Sequence, residues 1–125
     1  MAKFVDELND EMKEFISQQK MFFIATAPKE GKINISPKGL DDTLKVLSNN
    51  KILWLNYFGS GNETASHLLE DERMTLMFCS YEGEPLILRV YANVKVIQEK
   101  DNHWDEYISN FDNTHAARQV FELNI

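Results

Sequence analysis

The chain has 125 residues, enough for one hydrophobic core and not two. Thirteen basic against twenty acidic residues leave a net charge of −7, which argues against nucleic acid or an anionic membrane as the main partner. No apolar run reaches membrane-span length, no basic-then-apolar leader is visible, and the single cysteine cannot form an internal disulfide, so a cytoplasmic, reduced setting is expected.

Phe4, Val5, Leu8, Met12, Phe15 and Ile16 fall on one face at helical spacing, which predicts an amphipathic helix over residues 1–18. Residues 21–27 and 32–36 read as a β-hairpin around Pro28-Lys29-Glu30-Gly31, with Ile33 and Ile35 alternating against polar neighbours. Pro37 is expected to end the second strand and to hold Lys38 near its tip. Residues 43–47 permit a short strand or a helical turn. The run from Ile52 to Phe58 is β-rich, apolar and of strand length.

That strand enters Gly59-Ser60-Gly61-Asn62-Glu63-Thr64 and then a helix of about residues 61–71. A strand, glycine turn and helix start aim backbone N–H groups and a helix dipole at one spot, which suits a phosphate. The same residues also make a plain cap, because Ser60 and Glu63 have capping-box spacing. The glycine spacing fits neither a Walker loop nor a dinucleotide fingerprint, and on residues alone the cap is the stronger reading.

Residues 74–80 and 85–98 are predicted strands around a turn at 81–84, followed by a helix capped by Asp101 with Trp104, Tyr107, Ile108 and Phe111 as its stripe. A polar connection over 112–118 and a short strand at 120–123 complete the chain. Six or seven hairpin-linked strands with three helices imply one mainly β domain with flanking helices, an antiparallel barrel with its core over residues 21–98. His67 reads as a surface or capping residue, since Glu63 alone shares its helix face and His103 and His115 are distant. Cys79, beside Met77 and Phe78, reads as a buried structural thiol. Arg89, a charge in an apolar strand, needs a partner such as Glu63 or a bound phosphate.

The order of motifs resembles the pyridoxamine 5′-phosphate oxidase-like family, the flavin-binding split barrels. The residues that carry it are Phe22-Phe23-Ile24-Ala25-Thr26-Ala27, Ile33-Asn34-Ile35-Ser36-Pro37-Lys38-Gly39, Gly59 to Leu68, Met74 to Cys79 and Ile87-Leu88-Arg89-Val90-Tyr91. The likeness runs from the first helix to about Arg118. It implies a six-stranded split barrel, a homodimer, and FMN in grooves between the two subunits. Carried over by position, Asn34, Ile35, Ser36 and Lys38 would line the flavin. Asn56, Asn62, Glu63 and Thr64 would gather at its phosphate end, with Arg89 as an addition.

The resemblance implies an FMN-dependent oxidoreductase of unspecified substrate; the alternative is a non-catalytic module that binds a flavin or haem on the same fold. The oxidase proper carries an Arg-Lys pair where this chain has Asn-Glu-Thr, which argues against pyridoxamine phosphate oxidation. Members of this branch continue beyond the residue matching Ile125, so a shortened C-terminus is expected. No metal site and no catalytic acid or base stand out. Energetics add one condition. Micromolar affinity takes about 8 kcal/mol, whereas one charge-assisted hydrogen bond contributes roughly 1.5–3 kcal/mol. Enclosing about 250 Å² of aromatic surface contributes around 6 kcal/mol, so the flavin ring has to be shut away from water.

Overall fold

The computed structural model describes residues 2–39, 42–57 and 63–125. Helix α1 (Asp10–Gln18) starts where the Asn9 side chain accepts the Met12 N–H at 2.9 Å, with Asp10 and Glu11 in its positive first turn. The helix is shorter than the apolar stripe predicts. The Leu8 N–H is drawn to the Asn49 carbonyl at 2.7 Å, and Phe4 and Val5 remain exposed outside the helix.

Seven strands follow: β1 (Phe22–Thr26), β2 (Asn34–Lys38), β3 (Leu44–Ser48), β4 (Lys51–Tyr57), β5 (Arg73–Cys79), β6 (Ile87–Gln98) and β7 (Ala117–Asn124). Helix α2 (Glu63–Glu70) joins β4 to β5, and α3 (Trp104–Ile108) lies between β6 and β7. All pairings are antiparallel, in the order β2-β1-β5-β6-β7-β4-β3. Strands β1 and β4 are separated by three others, yet the Phe22 and Trp54 rings meet edge to face at 6.5 Å between centroids. The sheet therefore curls on itself into a barrel, with Phe22, Phe78, Trp54 and Phe121 packed in its interior.

Four expectations change. The sheet has seven strands rather than the six that the resemblance implies, because Leu44–Ser48 form a strand and β7 is a full member. Pro37 does not end β2 but pairs with Phe23 inside it, which proline tolerates because β2 is an edge strand. Asp101 accepts the Gln98 N–H at 2.7 Å and closes the turn after β6, while the cap of α3 is His103. Residues 117 and 118, read as connection, belong to β7, which lies between β6 and β4 and is buried on both faces.

The inner face of β7 supplies Phe121 and Leu123 to the barrel interior. Its outer face, with Leu53 and Leu55 of β4 and Ile97 of β6, is roofed by Trp104, Tyr107, Ile108 and Phe111. Glu122 lies buried there. Its carboxylate accepts the Tyr107 hydroxyl and the Asn124 amide at 3.2 Å, and Lys51 Nζ stands 3.7 Å away. Burial pushes the Glu122 carboxyl up, but those hydrogen bonds and the charges of Lys51 and Lys95 together hold it below its usual range. The same contact pushes the Tyr107 hydroxyl up to about 12.

Two outcomes are expected. Phe121→Ala should cost about 3–5 kcal/mol in urea unfolding, and Phe4→Ala less than about 0.5 kcal/mol. The Glu122–Tyr107 contact should be lost from both sides of neutral. A depressed carboxyl contributes stability above its unfolded pKa that disappears as pH falls through the folded value. A raised phenol contributes stability below its unfolded pKa that disappears as pH climbs toward 12. Melting temperature against pH should show both limbs, and Tyr107→Phe should abolish the alkaline one while lowering stability at neutral pH by about 1–3 kcal/mol.

Candidate functional site: the polar mouth of the barrel

Side chains alternate along β2, and pairing with β1 fixes which way they point. Thr26 opposes Asn34, Ile24 opposes Ser36, and Phe22 opposes Lys38. Because Phe22, Ile24 and Thr26 are the buried face of β1, the half-buried Asn34, Ser36 and Lys38 point inward with them. A polar row thus stands at the seam of a barrel otherwise lined by apolar side chains.

Helix α2 closes one end of that row. The Asn34 amide donates to Thr64 Oγ1 at 3.5 Å, and Thr64 is buried. Thr26 Oγ1 and His67 Nδ1 stand 3.1 Å apart, so the half-buried His67 ties α2 to β1 rather than resting on the surface. Asn56, on the face of β4 that carries Trp54, donates to Gln119 Oε1 of β7 at 3.0 Å, and Gln119 is buried. At the other end Lys38 Nζ lies 5.5 Å from the centre of the Trp54 ring, a cation–π contact at the edge of the core. Ser36 Oγ, midway along, is buried and has no hydrogen-bond partner among the described residues.

The structure therefore gathers Asn34, Ser36, Lys38 and Thr64 around the mouth, and sets Asn56 on the inner face of β4. It places two expected residues elsewhere. Ile35 and Arg89 lie on the outer face, exposed, with Arg89 opposite Met77. Glu63 is exposed at the first position of α2, and neither Arg89 nor Glu63 has a carboxylate or guanidinium partner among the described ion pairs. Asn62, with Gly59, Ser60 and Gly61, lies outside the described residues. Thr26, Gln119 and His67 at the mouth were not among the expected ligands. Strand pairing sets Thr26 opposite Asn34 and Gln119 opposite Asn56, and the Thr26 contact brings in His67; a single short motif carries no such signal.

The outer face of β2, β1, β5 and the first part of β6 is exposed, whereas Ile97 near the end of β6 is buried under the α3 cluster. Ile35, Ile87 and Tyr91 are 67%, 57% and 59% exposed, and Cys79 is half-buried on this face rather than in the core. The row Ala25, Thr75 and Tyr91 floors a depression of about 560 Å³ bordered by Ile33 and Arg73. No group of three or more metal-ligating side chains occurs among the described residues, and none of their helices is long and apolar enough to cross a membrane.

The antiparallel barrel is the split-barrel fold, and the comparisons agree on it. The family model described as pyridoxamine 5′-phosphate oxidase matches residues 8–125, and the chain belongs to that family. It is 37% identical over 129 aligned positions to the pyridoxamine 5′-phosphate oxidase family protein ustO of Aspergillus flavus. All of this chain is covered but 52% of ustO, so the chain spans about half the length of that relative. Among solved structures it is similar to HutZ, the heme storage protein from Vibrio cholerae, with a TM-score of 0.64 at 18% identity, covering 94% of this chain and 89% of HutZ. It is also similar to an FMN-binding protein from Syntrophomonas wolfei, with a TM-score of 0.61 at 16% identity over 87% of this chain and 76% of the other.

Proposed function

We propose that this protein is a homodimeric FMN-binding flavoprotein and acts as an oxidoreductase. The observation that carries the reading is the Ser36 hydroxyl, buried without a hydrogen-bond partner among the described residues in the middle of the inward row Asn34, Ser36 and Lys38. A buried unpaired hydroxyl is costly, and a ligand atom at the mouth would satisfy it. Amides at Asn34 and Asn56, hydroxyls at Ser36 and Thr64 and the ammonium of Lys38 match the carbonyls, ring nitrogens and phosphate of FMN in type.

FMN, when bound, supplies the redox chemistry; the chain's residues bind and orient it. Lys38 offsets anionic charge. Asn34 and Thr64, already in contact, fix the angle between β2 and α2 at the ligand. Exclusion of water needs a second copy, because the interior is filled by its own side chains and the bare outer sheet adjoins the mouth through β2. Ile35 and Tyr91 on that sheet would be buried in the dimer, and Arg89 would face the partner.

A second reading is haem binding, supported by the likeness to HutZ and by His67 at the mouth, where engagement of Nδ1 by Thr26 leaves Nε2 as the coordinating atom. Spectra separate the two. Flavin absorbance in the protein as purified, or on titration with FMN, supports the first. A Soret band lost in His67→Ala, with no flavin uptake, supports the second.

Ser36→Ala should weaken FMN binding about three- to tenfold while leaving the ligand-free melting temperature unchanged or higher, since it deletes an unsatisfied hydroxyl. Lys38→Met should weaken it about tenfold or more. Tyr91→Asp should convert the dimer to a monomer in sedimentation and lose FMN with it; a dimer that persists would mean that another surface joins the copies.

A further inference from the structure

We infer that Thr43 is a positioning residue for Lys38, holding the end of β2 against β4 so that the ammonium stays over the Trp54 ring. Thr43 is 2% exposed, immediately before β3. Its hydroxyl donates to the Gly39 carbonyl at 3.0 Å, one peptide beyond Lys38. Its own carbonyl accepts the Leu55 N–H at 2.8 Å, one residue beyond Trp54. One buried residue thus ties the backbone next to Lys38 to the backbone next to Trp54, the two partners of the cation–π contact.

Two neighbouring features brace the same place. The Gly39 backbone runs so close to α1's exit that an added Cβ would stand 3.1 Å from the Lys20 carbonyl oxygen. Asp42, at φ 66 in the left-handed region, gives its carboxylate to Lys45 and to the Asp112 N–H at 2.6 Å. The Lys45 and Asp112 hydrogen bonds hold the Asp42 carboxyl below its ordinary range, so at neutral pH it is an ionised anchor. A backbone fixed from these sides leaves Lys38 little freedom beyond its own side-chain torsions. Thr43 touches no ligand in this scheme; it acts through Lys38.

The consequence for FMN rests on the reading above, but the geometric claim does not, and the experiment keeps the two apart. The Lys38 methylenes near the indole should carry upfield ring-current shifts in the NMR spectrum of the ligand-free protein. Thr43→Val, nearly isosteric but without the donor, should return them toward ordinary lysine values, and Thr43→Ser should restore the shift. FMN affinity should fall about tenfold in Thr43→Val and recover in Thr43→Ser. Should Thr43→Val fail to fold, Gly39→Ala displaces the same carbonyl from the Lys20 side and should give the same spectral change. Lys38 methylenes that are unshifted in the parent, or that stay shifted in both variants, overturn the inference. If no form takes up FMN while the shifts behave as described, the flavin reading fails and Thr43 keeps its role.

Discussion

Contact between Phe22 and Trp54 sets the terms for the whole molecule. These residues sit on strands that the sheet order holds three strands apart, so their rings meet only if β5, β6 and β7 bend around a common centre. Each intervening strand then has to offer an inward side chain of matching bulk, and Phe78, Val90 and Phe121 do so. Phe22 stacks on Phe78 at 5.6 Å and Trp54 meets Phe121 in a tilted contact at 4.8 Å, so the four rings are linked across the barrel. A barrel closed by aromatics in this way has no room for a ligand within it, and binding is confined to its mouth and its outer walls.

The polar row of β2 follows from the same closure. Strand β2 lies one step beyond β1, so its inward side chains pass over the seam where apolar packing runs out. Lys38 can stand there because its ammonium lies over the Trp54 ring. Asn34 can stand there because Thr64 of α2 meets it. Ser36, between them, is buried at its hydroxyl and has no hydrogen-bond partner among the described residues. The row is thus engaged at both ends and unpaired in the middle.

Much of the fold was legible because its signals are local. Alternation around Ile33 and Ile35 marked the hairpin, and the aromatic run from Ile52 marked the central strand. What escaped was set by position in the sheet. Pro37 reads as a strand terminator unless β2 is known to be an edge. Strand β7 runs from Ala117 to Asn124, beyond the predicted 120–123, and its polar Gln119 and Glu122 are buried, each with a specific partner, Asn56 for one and Tyr107 for the other. Phe4 and Val5 continue the apolar stripe of α1 but fall outside it, since the Asn9 cap and the Leu8–Asn49 bond fix where the helix begins. The inward row shows the same division: Asn34, Ser36 and Lys38 belong to one short motif, whereas Thr26 and Gln119 come beside Asn34 and Asn56 by strand pairing and His67 by its contact with Thr26.

Rigidity and openness are divided between the two sides of the barrel. Strands β4 and β7 are buried on both faces, with α3 packed outside them and the Glu122–Tyr107 contact beneath it. The opposite half, β2 with β1, β5 and the first part of β6, leaves Ile35, Ile87 and Tyr91 exposed on its outer face, and β2 has a neighbour along one edge only. Such an edge invites strand pairing with other chains, and Pro37 in its middle removes one of the N–H donors that pairing would need. The stripped edge, the half-satisfied row behind it and the bare apolar sheet beside it thus belong to one region. A fold that commits so much buried surface to one side leaves the other with an unpaired strand edge and exposed apolar side chains.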